Sequence, residues 1–201
     1  METIIAATNN SGKLKEFQKF STEIGINILP SSSVNSKFDI EETGLTFIEN
    51  ALLKARALSK MTDFPVLADD SGLCVPILKN APGLYSARYS GINSNDEDNN
   101  NKLLSELQNH GFPQKAYYYC CLLLLRHTHD PNPIIAEGFW HGEIIKTTQG
   151  KNGFGYDPIF FIPSLAKTAA QLTTKQKNDI SHRGQALKKI MLKLKEINKK
   201  S

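Results

Sequence analysis

Thr3-Ile4-Ile5-Ala6-Ala7-Thr8-Asn9-Asn10-Ser11-Gly12-Lys13 begins as an apolar run of strand length, passes through small polar residues and a glycine, and enters the helical pattern of Lys13 to Ile24. A strand that turns directly into a helix is the repeating unit of α/β architecture. The rest of the chain keeps that alternation. Ile26 to Leu29 reads as a second short strand, closed by Pro30 and a serine run. Thr46-Phe47-Ile48-Glu49 has capping-box spacing, and Phe47, Ala51, Ala55 and Leu58 follow at helical period. Pro65 to Ala68 is a buried strand ending at Asp69-Asp70-Ser71-Gly72, and Asn95 to Asn109 a helix with Leu103, Leu104 and Leu107 on one face. Tyr117 to Leu125 and Pro133 to Trp140 form a hairpin turning through His127 to Asn132. Glu143 to Lys146 and Pro158 to Ile162 are further strands. Ser181 to Asn198 is an amphipathic helix with Leu187, Ile190, Met191, Leu194 and Ile197 inward. The pattern predicts an α/β fold with a mixed sheet, carried by residues 1–201 as a single domain.

With 201 residues, 40% hydrophobic and 22% charged, the composition is that of a globular chain and excludes a disordered one. The formal charge is +4, but six lysines against one glutamate between Lys188 and Lys200 account for the excess. A uniformly basic nucleic-acid binder is therefore not expected. The longest apolar run, Cys120 to Leu125, is far short of the ~20 residues of a membrane span. Met1-Glu2-Thr3-Ile4 lacks the basic start of a signal peptide. Three cysteines without a framework spacing predict reduced thiols and a cytoplasmic location.

Four clusters could carry chemistry. In Thr8-Asn9-Asn10-Ser11-Gly12-Lys13, the N–H groups of a helix start and a nearby ammonium favour phosphate, although Ser11 could equally serve as a plain helix cap. It is not a Walker loop, since Leu14 stands where a magnesium-binding hydroxyl is required. Glu41-Glu42 and Asp69-Asp70 supply hard carboxylate oxygens suited to Mg2+ and to activating a water, while a capping aspartate is the simpler reading of Asp69. Lys54 lies one helical turn after Asn50; a solvated lysine is the default reading, and facing the acidic loop or a phosphate is the sharper one. Gly153-Phe154-Gly155-Tyr156-Asp157 exposes an aromatic face between glycines, which suits a planar base, or else forms a glycine bulge before a strand. Lys177 with Ser181-His182-Arg183 is rich in donors and suits carbonyl or phosphate oxygens, although Ser181 could simply be the N-cap of the last helix. His127-Thr128-His129-Asp130 offers no third ligand for a metal, and Tyr117-Tyr118-Tyr119 and Trp140 read as strand packing.

Taken in order, these segments resemble the Ham1, or inosine triphosphatase, family of nucleoside-triphosphate pyrophosphatases. The resemblance rests on Ala7 to Lys13, Glu41 to Ala51, Ala68 to Leu73, Ala81 to Tyr89, Gly153 to Phe160 and Ile180 to Gly184, and covers nearly the whole chain. It implies an elongated mixed sheet with two lobes around a nucleotide cleft, in a homodimer. It implies hydrolysis of ITP, dITP and XTP to the monophosphate and pyrophosphate with Mg2+, clearing deaminated purines from the nucleotide pool. By motif position Thr8, Asn9, Asn10, Ser11, Gly12 and Lys13 hold the triphosphate, with Lys54 assisting. Glu41 and Asp70 place Mg2+, Asp70 is the general base, and Ser71 touches the substrate. Phe154, Gly155, Tyr156, Asp157, Lys177, His182 and Arg183 form the base pocket. The chain departs from the family at Gln171, where many relatives carry glutamate, and at Thr147-Thr148-Gln149, where a proline turn is common. The competing reading is a purine-nucleotide sensor that binds without catalysis.

Overall fold

In the computed structural model of the chain, residues 3–198 are described, those at 19–24 and 195–198 by their backbone alone. The elements run β1 (Thr3–Ala6), α1 (Ser11–Ile24), β2 (Asn27–Pro30), α2 (Phe47–Ser59), β3 (Val66–Val75), β4 (Ala81–Pro82), α3 (Asp96–Leu107), β5 (Gln114–Leu125), β6 (Ile134–Ile144), β7 (Phe160–Ile162), β8 (Lys167–Thr168), α4 (Thr174–Ile180) and α5 (His182–Asn198). Among the described residues the strands form one mixed sheet in the order β2-β1-β3-β5-β6-β7-β8, with β4 beside β3. β1 runs parallel to β2 and β3, whereas β6, β7 and β8 pair antiparallel in succession. The fold is mixed α/β, with helices flanking the sheet.

By contacts the chain divides into two compact units. The first comprises residues up to Asp70, Cys120–Gly138 and those from Arg183 on; the second comprises Ser71–Tyr119 and Phe139–His182. The first has its own core, in which Phe17 of α1 and Leu187, Ile190 and Leu194 of α5 pack with Ile4, Leu67, Leu122 and Leu124. Each such side chain contributes about 1.5–3 kcal/mol by leaving water. In the second unit Leu103 and Leu107 of α3 pack with Leu73, Val75, Tyr118, Trp140 and Phe160. Met191 is partly buried against the first core, and the Ile197 side chain lies outside the described residues.

Local chemistry accounts for the element boundaries. Thr46 caps α2, its hydroxyl accepting from the Glu49 N–H, and the Glu49 carboxylate accepts in turn from the Leu45 N–H at 2.8 Å. At α1 the cap is Asn10 rather than Ser11, with its Oδ1 accepting from the Lys13 N–H at 3.0 Å. Three further expectations are corrected. β3 continues through Asp69-Asp70-Ser71-Gly72 instead of ending there, because cationic partners let both carboxylates sit inside a strand. Glu143 and Ile144 end β6 rather than starting a new strand. A short helix, α4, precedes the last one and is capped reciprocally by Thr173 and Gln176; Ser181, in extended conformation, closes it. The substituted Gln171 has a local role: its amide oxygen accepts from the Thr168 N–H at 2.8 Å, completing a capping box that a carboxylate would also complete.

Candidate active site

In the first unit the strand β1 delivers the chain to a polar turn whose geometry is pinned from several sides. The Asn9 carboxamide donates to the Phe38 carbonyl at 3.2 Å and accepts from the Ser31 hydroxyl at 2.8 Å. The Thr8 hydroxyl accepts from the Asn10 N–H at 3.1 Å. Among the described residues the N–H groups of Ser11 and Gly12, in the first turn of α1, meet no protein acceptor, so they are available to an anion.

The charge of this turn is organised by Asp69. Alternation along β3 sends the two aspartates to different partners. Asp69, fully buried, pairs with the Lys13 ammonium and accepts from Arg183 Nε at 2.8 Å, and Cys120 Sγ lies 3.1 Å from the same oxygen. Burial pushes the Asp69 carboxyl up, but the Arg183 guanidinium and the Lys13 ammonium outweigh it and hold it well below the usual carboxylate range. Burial likewise pushes the Cys120 thiol well up, so it stays a donor. Arg183, only 1% exposed, also pairs with the Glu16 carboxylate.

Asp70 sits differently. Its Oδ1 lies 3.2 Å from Lys54 Nζ, whereas its Oδ2 is buried and has no hydrogen-bond partner among the described residues. Burial raises the Asp70 carboxyl above its ordinary value, against the pull of Lys54 and Lys13, and the Glu42 and Asp69 charges push the same way. Lys54 Nζ is shared with Glu42 at 2.7 Å. The loop carrying Glu42 is tied to α2, where Asn50 Oδ1 accepts from the Gly44 N–H at 2.8 Å. A side chain at Gly44 would meet that oxygen at 2.6 Å, so the loop's close approach requires glycine. Glu41, in contrast, is exposed and makes no ion pair among the described residues.

The second unit holds the other predicted residues. Ser71 is half-buried in β3. Asp157 is buried, accepts from Lys177 Nζ at 2.5 Å and from the Phe154 N–H at 3.0 Å, and lies 3.4 Å from the Tyr118 hydroxyl. Lys177 also places its ammonium 4.5 Å from the centre of the Phe154 ring, covering one aromatic face. Gly153, at φ +81°, faces the Asp157 carboxylate so closely that a Cβ would lie 1.9 Å from it. His182 is buried and stacks on Tyr118, with centroids 4.7 Å apart and planes inclined by 7°. Trp140 lies parallel at 6.4 Å.

Three participants escape a reading of the sequence alone. Glu16 becomes the second anion on Arg183; its signal is the three-residue spacing from Lys13, which places both on one helix face. Glu42, not its neighbour Glu41, pairs with Lys54, and a tandem of glutamates in a loop gives no periodicity to choose between them. Tyr118 supports His182 from inside β5, where only strand alternation marked it as inward.

With this geometry in place, comparison with known proteins is specific. The Ham1 family pattern matches residues 4–193. The dITP/XTP pyrophosphatase of Salmonella typhimurium is 48% identical over 192 residues, covering 95% of this chain and 97% of the relative. That of Nitrosomonas europaea is 48% identical over 196 residues, covering 98% and 96%. The solved structure of a HAM1 protein from Coxiella burnetii superimposes with a TM-score of 0.90 at 46% identity, over 98% of this chain and 100% of that one. The Staphylococcus aureus Ham1 protein follows with 0.86 at 42%, over 97% and 99%. The chain belongs to the Ham1 family.

Proposed function

We propose that this chain is a nucleoside-triphosphate pyrophosphatase that hydrolyses ITP, dITP and XTP to the monophosphate and pyrophosphate, removing deaminated purines from the nucleotide pool. Residues 1–201 act as one catalytic domain, in a cytoplasmic homodimer that binds neither nucleic acid nor membrane. Kinship near 48% over almost the full length supports the reaction class. The observation that carries the chemistry is Asp70 Oδ2, a buried carboxylate oxygen without a partner among the described residues, beside a lysine-bound one. Such an oxygen is stable only if a cation or a water meets it when the site is loaded.

The donors available, Asp70 and the exposed Glu41, are hard oxygens that fit Mg2+, an ion that keeps several of its waters and so needs few protein ligands. When bound there, the ion supplies charge neutralisation for the phosphate oxygens and lowers the pKa of a coordinated water. The protein's own work is then as follows. Lys13 and the Ser11 and Gly12 N–H groups bind phosphate oxygens, with Thr8, Asn9 and Asn10 shaping the turn. Asp70, its carboxyl raised by burial, accepts a proton from the water that attacks the α-phosphorus. Lys54 fixes the orientation of Asp70 and adds positive charge near the reacting phosphate, while Ser71 touches the substrate next to it.

The base is assigned to Phe154, Gly155, Tyr156, Asp157, Lys177, His182 and Arg183. Phe154 offers a stacking face, and Asp157 is an acceptor for a ring N–H. His182 and Arg183 are buried donors, with the Arg183 charge balanced by Asp69 and Glu16. Donors match the 6-oxo oxygen of hypoxanthine or xanthine; the 6-amino group of adenine sets donor against donor, a mismatch of about 1–3 kcal/mol per group. Hydrolysis of ITP in 18O-labelled water tests the bond broken. The label is expected in IMP with unlabelled pyrophosphate released. Formation of IDP with orthophosphate would contradict attack at the α-phosphorus.

A further inference from the structure

The loop that carries Phe154 is gripped from a helix to which the sequence assigned only packing. Gly155, at φ +64°, has both of its backbone polar groups held by α3. Its N–H donates to the Asp96 carboxylate at 2.6 Å, and its carbonyl accepts from Asn100 Nδ2 at 3.1 Å. Asp96 and Asn100 are one helical turn apart and therefore on one face of α3. Two bonds from one rigid element to a single residue fix the orientation of the flanking peptide planes as well as their position. The next residue back is Phe154, whose ring lies under the Lys177 ammonium; two residues on is Asp157, which accepts from the Phe154 N–H.

Asn100 is only 7% exposed, and its Oδ1 is buried without a partner among the described residues. A buried amide kept merely to fill a core would spend both ends or be replaced by an apolar side chain. Here one end is committed to Gly155 and the other has no partner among the described residues, so the hydrogen bond this side chain supplies goes to the loop. α3 itself is anchored at its start by Asn95, whose Oδ1 accepts from the Asp98 N–H at 2.8 Å, and at its end by the buried Leu103 and Leu107. The grip thus connects the loop to the core of the second unit.

We propose that Asp96 and Asn100 are positioning residues for base recognition: they hold Gly155 so that Phe154 and Asp157 are presented in fixed register to the purine. This rests on the base-pocket reading above and adds to it a pair that touches no substrate. The two reaction products separate the base from the phosphates as probes. Asn100→Asp keeps the shape but turns a carboxylate oxygen toward the Gly155 carbonyl. It is expected to weaken IMP binding in titration calorimetry about tenfold and to raise KM for ITP by a similar factor, with kcat nearly constant. Inhibition by inorganic pyrophosphate is expected to stay unchanged. Asp96→Ala is expected to shift IMP affinity in the same direction, and Asp96→Asn, which keeps an acceptor for the Gly155 N–H, to restore it. Unaltered IMP affinity in both Asn100→Asp and Asp96→Ala overturns the proposal, as does equal weakening of IMP and pyrophosphate, the mark of a general structural defect. Failure of the unsubstituted protein to bind IMP would instead overturn the base-pocket reading itself, and this inference with it.

Discussion

Asp70→Asn is expected to lower kcat for ITP by at least about 10²–10⁴-fold, the range set by removal of a positioned general base. Nucleotide binding should largely persist, because the turn at Ser11 and Gly12 and the Phe154 loop do not depend on that carboxylate. The substitution keeps the side-chain shape and the contact with Lys54 but removes the carboxylate oxygen that has no hydrogen-bond partner among the described residues. Unchanged turnover would remove Asp70 from the role of base.

Asp69→Asn is expected to destabilise the fold by about 3–5 kcal/mol, the magnitude for removing one partner from a buried ion network. The variant removes the Asp69 charge that pairs with the buried Arg183 and with Lys13, while the pair of Arg183 with Glu16 remains. The dependence on pH follows from the depressed Asp69 carboxyl. Its stabilisation is present above the unfolded-state value near about 3.9 and is lost as pH falls toward the lower folded-state value. Thermal melts should show a wide, constant gap in Tm between the two proteins from neutral to mildly acidic pH, narrowing under strong acid. A gap that stays constant into strong acid would contradict the assignment of a buried anionic Asp69.

Residues whose partners lie close in sequence are legible from the sequence itself. Thr46 and Glu49 cap one helix across three positions, and the α5 stripe of Leu187, Ile190 and Leu194 faces a core as its period requires. What stayed hidden depends on distant pairing. Asp69 sits mid-strand because Lys13 and Arg183, the latter far along the chain, neutralise it, and no local pattern at the aspartates announces that pairing. Arg183, assigned to the base pocket, also pairs with Asp69 and Glu16, and neither partner is signalled by any local spacing around Arg183. α4 has no periodic signature in the sequence because its seven residues carry no apolar stripe; side-chain caps and the buried Lys177 and Asn178 hold it. The Glu41-Glu42 tandem shows the same limit at the site. Which glutamate reaches Lys54 depends on how Asn50 pulls the loop in at Gly44, a contact with no counterpart in hydrophobic periodicity.

The most direct test of the account is pyrophosphate release from ITP, dITP, XTP, GTP, ATP and dUTP, assayed with Mg2+ and with EDTA. Strong release from ITP, dITP and XTP, abolished by EDTA and weak with ATP, is the predicted result. Release from dUTP alone would keep the fold and discard the base pocket, and binding without release from any of the six would contradict the enzyme and leave a nucleotide sensor.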